Sequence, residues 1–593
     1  MLEISFHFRG DLLMSDSKAK KSSIDPISSL IAESNSYTHF DQIERLVENK
    51  FDLSVLPVQP VYLALKTLPI EKVAELLPRF SKEQREIFLD IDLWVKDEID
   101  VKTFPFWVLA YAQVEDEAVK KDFVTSEQFL LFLKSKFNIW TFDAEDPEYP
   151  DHDNYFLTDD NLLLIEFEEN FPYVMEVKEL IKHLYYEIGV ENAYAFLFKM
   201  VSDSYIVLQE EEYKKRCDRL RDFGFVNYID ALEVENPFIA IEFLEKFVRE
   251  KKAFKVELDY NSRNQNIHNS ALVSFKDQFK TVIDELMKVE DEKRLEYLQF
   301  NFVRLINARL ESTDALKRGS VAMSRSGAQT KGLIQLGFSY LNSNRGVELT
   351  GDLSKSGGLF TKFDFGEIYK IGNSLIIFNK KKLKKALNNN QFDNDEKESF
   401  LGEYWSDFLD SSFDQPAKFQ TKNGVAAEAI TDYETFELWE YKTKTLVDLL
   451  PFALKFYQTF NQLKEEGRLI DSYYLNYTVD AINFETLLIS SFANFFMGTY
   501  DQQNMMKLGL TLDEFKKFTK LLITSEGKFV LTPEIYSKIQ LFAKNFGLDQ
   551  VFDFNNYLQS IITNSLEGYD FDELKDEDFS HVGGPIILSI VKH

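Results

Sequence analysis

Cysteine is almost missing from this chain: Cys217 is the single one among 593 residues. No intrachain disulfide and no cysteine-built metal cage can form. Cys217 stands among Lys214, Lys215, Arg216, Arg219 and Arg221. Such neighbours can lower a thiol pKa, but the simpler reading is a thiol on a helix surface. Long apolar runs are missing too. The uncharged stretch Thr486–Tyr500 carries Ser, Thr and Asn and is shorter than the roughly 20 apolar residues that a membrane-spanning helix needs. It reads as a buried core helix. The seven histidines (His7, His39, His152, His183, His268, His581 and His593) are scattered. There is no His-Glu-x-x-His and no Gly-x-Ser-x-Gly elbow, so a catalytic site would have to be assembled from distant residues. The Gly-rich stretch 346–358 lacks the spacing of a phosphate-binding loop, because Lys355 lies inside it rather than after its last glycine.

What the chain has in abundance is negative charge and aromatic rings. Its formal net charge is -30, its apolar fraction 45% and its aromatic fraction 15%, with 55 Phe. This composition gives ample material for packed cores. An acidic surface repels phosphate backbones and anionic lipid heads, which argues against nucleic acid and membrane surfaces as partners. The main basic run, Lys380, Lys381, Lys382, Lys384 and Lys385, reads as the C-terminal end of a helix, where the dipole favours cations. Residues 1–13 carry polar interruptions and no cleavage site of a signal peptide, and Met14 reads as a second possible start. These features lead to the expectation of a cytoplasmic protein.

The pattern along the chain is helical. Ile70, Val73, Ala74 and Leu77 recur at i, i+3, i+4 and i+7. Leu-Pro pairs at 56–57, 68–69 and 77–78 keep the helices short. Capping boxes are expected at Ser81/Gln84, Thr125/Gln128, Thr431/Glu434 and Thr511/Glu514. Glu210, Glu211 and Glu212 precede Lys214, Lys215 and Arg216 by four residues, acids early and bases late, which supports one helix through side-chain pairs and its dipole. The expected fold is predominantly all-α, with stacked short helical hairpins forming a superhelix and a small β-hairpin inserted at 155–168. The expected divisions are a disordered tail over 1–37, a helical superhelix over 38–140, an acidic loop and β-hairpin over 141–172, and a helical domain over 173–318. A Gly-rich helical pair with the lysine run over 319–397 and a C-terminal helical domain over 398–593 complete the chain.

Leu56 to Trp94 resembles the cytosolic N-terminal helical superhelix of magnesium transporters, a module of short helices with a Leu-Pro beat. A wider resemblance is to a bacterial family of long proteins catalogued as a domain of unknown function. It rests on Asp90-Ile91-Asp92-Leu93-Trp94, Tyr213 to Glu233, Gly332 to Tyr340, and Phe400-Leu401-Gly402-Glu403-Tyr404-Trp405. That resemblance implies an all-helical soluble protein and brings no catalytic residue or cofactor with it.

The most distinctive chemistry lies in residues 137–177, which hold twelve Asp or Glu and no Lys or Arg. Asp143, Glu145, Asp146, Asp151 and Asp153 could gather oxygen ligands for Mg²⁺ or Ca²⁺, although 151–155 lacks the glycine of a calcium loop. Glu148, Tyr155, Phe156 and Phe167 are candidate contacts for a protein partner, with rings set among acids. Rings that only anchor the hairpin to the helices are the plainer alternative. The leading expectation is a non-enzymatic scaffold that binds a protein partner through helical grooves. A cation-responsive regulator using 143–169 and an enzyme with a dispersed site are the alternatives.

Overall fold

Ser81 opens the helix Lys82–Asp92 by accepting the backbone N–H of Gln84, and the Gln84 side chain returns a bond to the Ser81 N–H. This reciprocal cap satisfies two donors that the first turn leaves free. In the computed structural model, residues 53–55, 58–95, 97–222, 225–226, 228–253, 280–315, 317–351, 358–421, 425–499, 508–522, 531–566 and 586–590 are described. The tail expected over 1–37 lies outside them. Among the described residues there are 23 α-helices and only short strands, so the fold is predominantly all-α. No described helix is long and apolar enough to cross a membrane.

The chain divides into two compact units. The first comprises 1–236, 247–334 and 347–370, and the second 237–246, 335–346 and 371–593. The Gly-rich segment expected as its own division, 319–397, is therefore shared between the two. Its helices run Ser320–Asn342 and Phe365–Asn389. Gly346 sits in a third, short helix, Asn344–Thr350, rather than in a loop. The lysine run ends one turn before the end of its helix.

The first unit opens with short helices: α1 (Val58–Leu65), α2 (Ile70–Leu76), α3 (Lys82–Asp92), α4 (Phe104–Gln113), α5 (Glu117–Val124) and α6 (Glu127–Lys136). They are followed by α7 (Val174–Ile188), α8 (Val190–Ser202) and α9 (Tyr205–Asp222). Neighbours pack two apart, α1 on α3, α2 on α4 and α5 on α7. The cap of α6 is Ser126, which accepts from Phe129, and Thr125 instead closes α5. In the second unit the cap before Tyr433 is Asp432, not Thr431. In both places an acceptor one residue closer to the helix displaces the expected Thr. Thr511 and Glu514 do bond reciprocally.

Buried charge ties the helices together. Asp92 accepts from the Tyr62 hydroxyl at 2.7 Å, Lys66 at 2.8 Å and the Trp107 indole at 2.6 Å. Arg219 reaches Asp90 and Glu212, Arg216 donates to the Asp90 carbonyl at 2.9 Å, and Gln128 donates to the Asp90 carboxylate. Glu212 and Arg216, expected as a pair along one helix, belong to this interior. Both are buried, in a stripe running from Leu208 to Leu220 along α9.

The second unit packs aromatic rings. Phe492 lies 5.5 Å from Phe542 and 6.5 Å from Phe518. The expected core helix is Phe484–Met497, capped by Asn483 and Thr486 and closed by Gly498 in a left-handed turn.

Candidate functional site

The acidic segment folds as a three-stranded antiparallel sheet in the first unit, in the order β3 (Phe137–Thr141), β5 (Leu163–Phe167), β4 (Tyr155–Leu157). The remaining pair in this unit, β1 (Trp94–Val95) and β2 (Glu98–Ile99), is a separate two-stranded sheet. The sequence reading extended the helical pattern to residue 140 and so missed β3. The helix stops at Lys136, and Phe137-Asn138-Ile139-Trp140 alternates buried with exposed, the period of a strand.

Register decides which rings face outward. Asn138 pairs with Glu166, Glu166 with Tyr155, and Trp140 with Leu164, so Asn138, Trp140, Tyr155, Leu164 and Glu166 share one face. Phe156 and Phe167 are on the opposite face, which carries the buried Phe137, Ile139, Leu163 and Ile165. Of the three rings proposed from sequence, only Tyr155 is on the outward face. Phe156 is buried and Phe167 half-buried, as alternation along a strand requires.

The outward face is organised around Glu166. Its carboxylate accepts from the Trp140 indole at 3.2 Å and from Asn138 at 3.4 Å. His152 approaches it at 2.8 Å through Nε2, while its Nδ1 accepts the Asn154 N–H. That second bond assigns the ring proton to Nε2. The Trp140 hydrogen bond, then those of His152 and Asn138, hold the Glu166 carboxyl below its ordinary pKa. Trp140 is 57% exposed, whereas Trp94, Trp107, Trp405 and Trp439 are at most 1% exposed. Tyr149, also exposed, lies between Phe142 at 5.3 Å and Tyr155 at 5.9 Å, its ring tilted to both. Asp143, Glu145, Asp146, Glu148, Asp151 and Asp153 are all exposed in the β3–β4 loop. No three of them converge on one point among the described residues.

Residues 38–580 match the DUF6178 family, a family of unknown function. The chain belongs to that family. No curated protein and no solved structure matches it, and the magnesium-transporter resemblance finds no support.

Two of the landmark segments of this DUF6178 chain meet in the first unit, where Arg216 and Arg219 bond Asp90. A third surrounds an unusual pair in the second unit. Burial pushes the Glu485 carboxyl up to about 8 and the Lys442 ammonium down to about 8. Both have structural work. Glu485 accepts the Tyr404 N–H at the start of the helix Glu403–Phe413. Lys442 lies 3.8 Å from the Tyr404 ring centre and 5.0 Å from that of Phe408. These ring faces favour its charged form and oppose the effect of burial. Among the described residues the neighbouring Trp405 indole N–H and Tyr557 hydroxyl complete no well-aligned hydrogen bond.

Proposed function

We propose that the protein is a non-enzymatic scaffold that docks a basic segment of a partner protein on the outward face of the β3–β5–β4 sheet, acting in the cytoplasm. The observation that carries this reading is Trp140, an exposed indole held in one orientation by Glu166 beside a loop of carboxylates. An immobilised aromatic ring contributes large contact area at little entropic cost, and tryptophan is enriched among the residues that dominate interfaces. The carboxylates supply a field that speeds encounter with a cationic partner. The twelve acids without a base in 137–177 mean that this field is not neutralised from within the segment.

The test is capture from native lysate by three proteins: the wild type, Trp140→Ala, and a variant with Asp143, Glu145, Asp146 and Glu148 changed to Asn or Gln. Trp140→Ala keeps the fold and weakens capture of the specific partner by about 2 kcal/mol, roughly 30-fold. The loop variant weakens it more at low salt than at high salt. Equal capture of every bound protein by the wild type and Trp140→Ala would sink the reading.

A further inference from the structure

His183 and Glu187 are one turn apart on α7, and Glu117 opens α5, which packs against it. One ligand atom from each of the three lies within 4.8 Å of the others. His183 Nδ1 is 3.0 Å from Glu117 Oε2, and the His183 side chain is only 10% exposed. A tetrahedral ion bound at about 2.1 Å from each ligand would set those atoms about 3.4 Å apart. Small side-chain rotations therefore close the set around an ion, with no movement of the helices. His183 also lines a cavity of about 230 Å³ with Lys120, Leu180, Lys182 and Tyr186.

We propose that Glu117, His183 and Glu187 bind a divalent first-row transition ion such as Zn²⁺, with the adjoining cavity leaving room for water or an anionic ligand. One imidazole and two carboxylates suit Zn²⁺, Mn²⁺ or Fe²⁺ better than Ca²⁺ or Mg²⁺, which favour all-oxygen sites. Three protein ligands with an open position are the arrangement of an exchangeable rather than a closed structural zinc site. Lys121 occupies the site in the ion's absence by pairing with Glu187 at 3.2 Å. It must give up Glu187 when the ion enters.

The experiment is calorimetric titration of the full chain with ZnCl₂, backed by the visible spectrum of the Co²⁺ form. The wild type binds one ion with enthalpy assignable to this set. His183→Ala and Glu187→Gln weaken binding by at least about tenfold, and Lys121→Ala tightens it. Undiminished binding by folded His183→Ala, or no binding by the wild type, overturns the proposal. If His183→Ala fails to fold, the near-isosteric Glu187→Gln decides by the same criterion.

Discussion

Arg219 holds Asp90 with two parallel hydrogen bonds, Nε to Oδ2 at 2.8 Å and Nη2 to Oδ1 at 2.7 Å, across a separation of 129 residues. Such a fork fixes both distance and angle, so it sets the register of α9 on α3 as well as their contact. Asp90 is fully buried. Removing its partner strands a charge in a medium that cannot solvate it.

Arg219→Ala should accordingly destabilise the first unit by about 3–5 kcal/mol. Replacing both residues by apolar ones of similar volume should cost less than the single change, because no charge is then left buried. Urea unfolding of the single and double variants checks this. A double variant at least as damaged as Arg219→Ala would show that the loss comes from packing.

Much of this was legible in the sequence. Ile87, Asp90 and Ile91 lie at i, i+3 and i+4 along α3, so an acid falls on an otherwise apolar stripe. On α9 the stripe Leu208, Glu212, Arg216, Leu220 repeats every four residues. Charged residues on two otherwise apolar stripes are a signal of pairing across helices. The i,i+4 reading paired Glu212 with Arg216 without telling which face they are on, because local spacing looks the same whether a helix face is wet or dry. The hairpin 155–168 was legible from two apolar runs on either side of the turn residues Asp159-Asp160-Asn161. The outer strand with Trp140 was not, because Phe-Leu-Leu-Phe-Leu just before it carries a helical pattern up to the boundary. The pairing of His183 with Glu117, 66 residues earlier, depends on how α5 meets α7, which no local pattern encodes.

Glu212 supplies a pH-dependent test. Its side chain is 1% exposed, and one carboxyl oxygen, Oε2, has no hydrogen-bond partner among the described residues. Burial pushes this carboxyl up to about 7, against the opposing pull of Arg219. Between its ordinary pKa and 7 the folded state therefore holds more protons at this site than the unfolded state. Stability contributed here is present at low pH and declines as pH rises through that window. Glu212→Gln keeps an acceptor for Arg219 and removes the titration. The variant should match the wild type near pH 5 and exceed it at pH 8, by on the order of 2 kcal/mol. Denaturant midpoints at the two pH values read this directly. A variant less stable than the wild type at pH 8 would mean that the ionised carboxylate is the form the fold prefers.

Gly402 and Gly467 separate two reasons for needing glycine. Both adopt positive φ, +97° and +68°. A methyl group at Gly467 would meet nothing within 4 Å, whereas one at Gly402 would lie 2.4 Å from the Glu485 carboxyl carbon. Left-handed backbone alone costs a non-glycine residue about 1–2 kcal/mol, so Gly467→Ala should lower stability by that amount. Gly402→Ala must in addition displace Glu485, which then loses the Tyr404 N–H it accepts at 3.2 Å and leaves the first turn of the helix Glu403–Phe413 without that cap. A loss at Gly402 at least about 1 kcal/mol larger than at Gly467 is expected from the cap alone. Shortening Glu485 isolates the steric part. In a Glu485→Ala background the cap is already gone and the collision is relieved, so the Gly402→Ala penalty should there shrink to the cost of its backbone alone, φ +97° with ψ 169°, a region essentially confined to glycine. Thermal unfolding of the four variants in one buffer measures the difference. An undiminished penalty for Gly402→Ala in that background would place the strain in the backbone rather than in the contact with Glu485.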